Sequence, residues 1–116
     1  MNHFGHIEIP TTNFEIAKTF FGYVFGWKFQ DVPKIEYVLF RAGMKPNGGF
    51  FEVKKMPKSN QVNVYIEVKD INATLKKVQK AGGTLIIKKS KVLDMGWFGM
   101  FTTPDGCHLC LWQRKD

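Results

Sequence analysis

His6-Ile7-Glu8-Ile9-Pro10-Thr11-Thr12-Asn13 runs directly into Phe14-Glu15-Ile16-Ala17-Lys18-Thr19-Phe20-Phe21, and reading this stretch decides the architecture. Its first half alternates, with Ile7 and Ile9 on one side and His6 and Glu8 on the other, as a strand with one buried face requires. Its second half repeats apolar residues at steps of three and four: Phe14, Ala17, Phe20, Phe21 and Val24 form one helical stripe. Thr12 followed by Glu15 fits a capping box at the helix start, and Gly26 is placed to end the helix.

A paler copy follows. Val62, Val64, Ile66 and Val68 alternate with Asn63, Tyr65 and Glu67; Asp70 caps a helix with Ile71, Leu75, Val78 and Ala81 inward and Lys76, Lys77 and Lys80 outward; Gly82-Gly83 stops it. Aligning Asn13 with Asp70, an offset of 57, puts Ile7 on Val64, Ile9 on Ile66, Phe21 on Val78 and His6 on Asn63. Three strands are expected after each helix, over 27–30, 36–41 and 48–54 in the first copy and over 84–88, 96–102 and 107–113 in the second. Turn signals such as Pro46-Asn47-Gly48 and Pro104-Asp105-Gly106 separate them. The polar segment 55–61 reads as a linker. A half-length βαβββ unit cannot bury its own sheet. The chain is therefore read as one α+β domain, 1–116, of two tandem units, about 1–55 and 61–116.

Composition bounds the partners. The 116 residues suffice for one hydrophobic core, and the eleven Phe and three Trp suit a small core or an apolar pocket wall. The net charge of +7 comes from scattered lysines without a run of five or a nucleic-acid signature, and it reads as solvated surface rather than a nucleic-acid footprint. No apolar run approaches the ~20 residues that span a bilayer. Met1-Asn2-His3-Phe4-Gly5 does not open a signal peptide, and two cysteines do not build a disulfide framework, so the expected location is cytoplasmic.

At this point the sequence resembles the vicinal oxygen chelate superfamily, which includes glyoxalase I, bleomycin-resistance proteins and extradiol dioxygenases. The residues that carry the resemblance are 6–12, Phe20-Phe21-Gly22-Tyr23-Val24-Phe25-Gly26-Trp27, Val68-Lys69-Asp70-Ile71, Ala81-Gly82-Gly83, Thr103-Pro104-Asp105-Gly106 and Leu111-Trp112-Gln113. The resemblance implies curved sheets around a cavity, with a ligand from the first and last strand of each unit. By position these are His6 and Glu52, then Asn63 and Cys110. His and Glu suit a divalent ion such as Zn, Ni, Mn or Fe, whereas neutral Asn and a lone thiolate depart from such a hard-oxygen set. The expectation is no metal cofactor, with His6 and Glu52 the metal donors only if a metal binds.

Strand alternation adds neighbours to the implied cavity: Tyr65 and Glu67 beside Asn63, and His108 and Trp112 beside Cys110. Trp97, which follows Gly96, reads either as core or as an aromatic wall of the cavity. The expected ligand-binding residues are thus His6, Glu52, Asn63, Tyr65, Cys110, Trp112 and Trp97. His6 beside Glu52 would serve as an acid–base pair without a metal, or as a structural hydrogen-bonded pair. Cys107-His108-Leu109-Cys110 spells C-x-x-C, but in a strand residues three apart face opposite ways, so Cys110 reads as a small buried residue.

The implied function is binding of a small organic molecule in a cavity between the units, as in the bleomycin-resistance branch. The alternative is a divalent-metal-dependent lyase, isomerase or dioxygenase, and whether the protein is an enzyme is left open. A homodimer is the assembly this fold implies.

Overall fold

The computed structural model describes residues 1–56 and 62–115. Of the segment read as a linker, 57–61 lie outside the described residues. The chain forms two compact units, one spanning His6–Val62 and the other joining Met1–Gly5 to the residues from Asn63 onward. The five leading residues side with the second unit because the Asn2 N–H donates to the Glu67 carbonyl at 2.7 Å. The boundary therefore falls inside the first strand.

The element order is the expected β-α-β-β-β, twice. In the first unit β1 (His3–Thr11) and α1 (Phe14–Phe25) are followed by β2 (Lys28–Val32), β3 (Tyr37–Arg41) and β4 (Asn47–Glu52). In the second, β5 (Asn63–Glu67) and α2 (Ile71–Lys80) are followed by β6 (Thr84–Val92), β7 (Gly96–Thr102) and β8 (His108–Arg114). Each unit pairs its first strand with its last in parallel, β1 with β4 and β5 with β8, while β2–β3, β3–β4, β6–β7 and β7–β8 are antiparallel. A parallel pair needs a crossover, which the helix and two intervening strands supply.

In the first unit the helix-side face carries an aromatic core. Phe50, Val38, Phe40 and Ala17 are buried, with Ile9, Phe14, Phe21, Trp27 and Phe29 packed on them. Trp27 stacks on Phe40 at 4.5 Å and on Phe21 at 4.9 Å between ring centres, and Phe40 meets Phe50 at 5.1 Å. Such pairs add about 0.5–1.5 kcal/mol each beyond their buried area. The second unit uses Val68, Ile71, Leu75, Phe101 and Leu111 instead, a mainly aliphatic core. Gln113 Oε1 accepts the Ile71 N–H at 2.9 Å, tying the start of α2 to β8.

Three helix expectations change. Asn13, not Thr12, caps α1: its side chain accepts the Ile16 N–H at 3.1 Å. Thr11 is drawn into the turn, its hydroxyl accepting the Asn13 N–H at 3.1 Å, so the helix starts one residue later than a Thr12 cap requires. The inward line of α1 runs through Phe14, Ala17 and Phe21, whereas Phe20 and Val24 are exposed. Spacing could not separate these sides because α1 is apolar almost all round. Gly26 ends α1 in the left-handed region, and Asp70 caps α2, both as expected. Ala81 is the exposed C-cap of α2 rather than an inward residue.

The glycine pair of β4 sets the local spacing. A Cβ on Gly48 would collide with the Ile7 carbonyl and the Phe40 ring, and one on Gly49 would fall inside the Tyr37 ring. Tyr37 can therefore lie flat across β4 only because position 49 has no side chain.

Asn13→Ala is expected to lower the unfolding free energy by about 1 kcal/mol, while Thr12→Ala changes it far less. Urea titration of both variants checks this. Gly49→Ala, which raises strand propensity, should nevertheless cost about 1–3 kcal/mol by overpacking against Tyr37; an unchanged urea midpoint would contradict that contact.

Candidate functional site

His6 is the residue around which the first unit's polar face is built. In the β1–β4 register His6 lies opposite Asn47, Glu8 opposite Gly49 and Pro10 opposite Phe51, so these residues share a face. Tyr37 and Leu39 join them from β3, opposite Phe51 and Gly49. Tyr37 begins level with Phe51, and its ring crosses bare Gly49. Its hydroxyl then reaches His6 Nε2 at 2.7 Å. The imidazole and phenol rings lie 19° from parallel with centroids 6.2 Å apart.

Burial pushes the His6 pKa below its usual 6.5, and the nearby Glu8 carboxylate opposes that shift without cancelling it. The ring is therefore neutral at physiological pH. His6 Nε2 and the Tyr37 hydroxyl share this hydrogen bond, with the donor set by the tautomer of the ring. Tyr37 was not among the residues singled out by sequence. Its signal, a tyrosine two strands away whose ring crosses a bare glycine, exists only in the strand register.

Glu52 stands elsewhere. It lies opposite Thr11, five positions along from the His6–Asn47 pair and on the helix-side face, roughly 16 Å away along the strand. There it borders an open cleft of about 370 Å³ with Glu15, Asp31 and Glu36 around Lys18. Lys18 pairs with Glu15 at 2.9 Å and with Asp31 at 3.2 Å. The structure thus does not bring His6 and Glu52 together, either as an acid–base pair or as two ligands of one ion. A centre built on these two donors does not fit this register. Among the described residues no group of three or more His, Cys, Asp or Glu side chains is placed to hold a metal.

The second unit presents a corresponding face. Tyr65 pairs with Cys110 and Glu67 with Trp112, while Phe98 and Met100 on β7 oppose Trp112 and Cys110. With Asn63 at the start of β5, this face is aromatic and sulfur-rich with few polar groups. Cys110 and Tyr65 are buried, whereas His108 at the strand start is exposed. Glu67 is engaged by Arg114 at 3.0 Å.

Trp97 is not on this face. It pairs with Gln113, packs against the aliphatic core on the helix side, and carries the Lys89 ammonium 4.5 Å from its ring centre. Of its two sequence readings, core is the one this placement supports. Cys107 is exposed and precedes β8, and neither it nor Cys110 is joined in a disulfide. Five of the seven expected ligand-binding residues, His6, Asn63, Tyr65, Cys110 and Trp112, thus lie on the face of their own sheet away from the helix, and Glu52 and Trp97 do not.

The model of the Glyoxalase/Bleomycin resistance protein/Dioxygenase superfamily matches residues 3–111. A glyoxylase-like domain-containing protein of Didymella fabae is 37% identical over 98 residues, covering 78% of this chain and 73% of that protein. A putative glyoxylase, CFP32, of Mycobacterium bovis is 29% identical over 122 residues, covering 94% of this chain but only 44% of its own length. Among solved structures, methylmalonyl-CoA epimerase from Mycobacterium tuberculosis superposes with a TM-score of 0.77 at 10% identity, covering 98% of this chain and 89% of that one, a likeness of fold. With a family match over nearly its whole length and the tandem βαβββ order in its strands, this chain belongs to the glyoxalase/bleomycin-resistance/dioxygenase superfamily.

Proposed function

We propose that this chain binds a small, oxygen-bearing organic molecule, with the His6–Tyr37 pair as its polar anchor. The observation that carries the reading is the 2.7 Å bond between Tyr37 and the partly buried His6. A histidine on a polar strand face, held neutral by burial and oriented by a phenol, offers a fixed donor and acceptor to a carbonyl or carboxylate oxygen. Family membership supports a small-molecule role, since the fold hosts both enzymes and proteins that only bind.

This binding is proposed to need no metal held by His6 and Glu52, because the register separates those donors. Without one, the pair still offers hydrogen bonds, because imidazole and phenol each carry a donor and an acceptor that a ligand oxygen can meet. The same reading has the chain pair with a second copy of itself. Two cysteines outside any disulfide accord with a reducing, cytoplasmic setting. Among the described residues no helix is long and apolar enough to cross a membrane.

A thermal-shift screen of carbonyl and carboxylate compounds tests the anchor. Tyr37→Phe should weaken any hit about 3–10-fold, the worth of one hydrogen bond, and His6→Ala should weaken it further. Equal binding by wild type and both variants would place the ligand elsewhere. The same screen with Mn, Ni, Zn and Fe(II) separates the rival reading. Metal stabilisation lost in His6→Ala would restore the metal-dependent lyase, isomerase or dioxygenase.

The lowered His6 pKa also has a pH signature. As pH falls below 6.5, the unfolded chain takes up its His6 proton before the folded chain does. Stability therefore drops with falling pH until the folded histidine titrates as well. Urea unfolding across this window should show a shallower acid slope in His6→Gln than in the wild type.

A further inference from the structure

We propose that the outer stripe of α1, Ile16, Phe20, Tyr23 and Val24, is the surface on which a second copy of this chain docks. The inference rests on the pairing included in the reading above and names the surface that performs it. These side chains are 66%, 54%, 90% and 48% exposed. Ile16, Phe20 and Tyr23 follow one another at steps of four and three, the spacing of a helix–helix seam, with Val24 beside them.

The internal duplication provides the control. With Asn13 aligned on Asp70, positions 16, 19, 20, 23 and 24 of α1 fall on Ala73, Lys76, Lys77, Lys80 and Ala81 of the second unit. All five of those residues are exposed, and three are lysines. The same side of the same element is thus an ordinary solvated face in one repeat. In the other, Phe20 and Tyr23 replace two of the lysines, Thr19 the third, and Ile16 an alanine. Neither core demands this exchange, since α1 and α2 turn Phe14 and Ile71, Phe21 and Val78 inward at matching positions.

Charge and area favour a second copy as the occupant. A chain of net charge +7 repels itself through most of its surface. The α1 stripe carries no charged residue, and the helix's one lysine, Lys18, is paired with Glu15 and Asp31. Two copies can meet here without bringing lysines together. The four side chains expose roughly 500 Å² of apolar surface, already in the range of the largest patch on a typical monomer. A two-fold contact through the stripe uses it twice and buries about 1,000 Å², near the lower limit for a specific interface. Phe20 needs little ordering, since it sits edge-on to Phe21 at 5.2 Å.

Sedimentation equilibrium of the full chain over the micromolar range tests this, comparing wild type with Phe20→Lys/Tyr23→Lys, which installs the residues α2 already carries. The wild type is expected to dimerise, and the double variant to self-associate at least about 30-fold more weakly, as for loss of hot-spot aromatics. Circular dichroism should be unchanged, and the urea midpoint should match that of the wild type at concentrations where both are monomeric. Ile16→Lys is the second variant, should the first not fold. A dimer that survives both substitutions overturns this surface and leaves pairing through another face. A wild type that stays monomeric throughout overturns both the surface and the pairing itself.

Discussion

The parallel contact between β1 and β4 is the constraint on which the first unit depends. Parallel strands cannot be joined by a tight turn, so the chain must travel through α1, β2 and β3 before β4 returns beside β1. The return is close because position 48 has no Cβ to meet the Ile7 carbonyl. Once this register is set, period-two alternation leaves no choice about faces. Ile7 and Ile9 go with Phe50 toward α1, and His6 and Glu8 go with Gly49 to the opposite side. The site follows from the same pairing, because a strand shifted by one residue would exchange the two sets.

The two repeats share this topology and diverge in what fills it. The first buries stacked rings, Trp27 on Phe40 and Phe21, whereas the second buries Val68, Ile71, Leu75 and Leu111 with a single Phe101. On the opposite faces the contrast runs the other way. The first unit places an imidazole and a phenol in hydrogen-bond contact, while the second places a buried thiol, Met100 and Trp112 around Tyr65. Duplication thus preserved the strand pairing, which needs only backbone and size, and left side-chain chemistry free to differ between the faces.

The separation of His6 from Glu52 has a geometric origin in the first unit. Five strand positions, an odd number, separate His6 from the level of Glu52, so the two cannot share a face whatever their rotamers. The carboxylate instead joins the acidic cleft around Lys18 at the strand end. Tyr37 takes the place beside the histidine, and a hydroxyl there orients the ring without adding charge to a partly buried site. Glu8 is the remaining charge near the imidazole, and burial outweighs it.

Sequence by itself determined the α+β class, the duplication at an offset of 57, the order of the elements and the superfamily, because each rests on local periodicity, caps and turn residues that need no partner. It placed His6, Tyr65, Cys110 and Trp112 on the faces they occupy, since alternation within one strand is also local. It could not pair His6 with Tyr37 rather than Glu52. That choice depends on the register between strands 30 or more residues apart and on the bare backbone at Gly49. Nor could it orient α1, whose near-continuous apolar sequence fits several rotations. Ala17 is the residue held at 5% exposure against the sheet, and that contact turned Phe20 and Tyr23 outward. Only the tertiary structure decided these points, because the interactions that settle them join residues far apart in the chain.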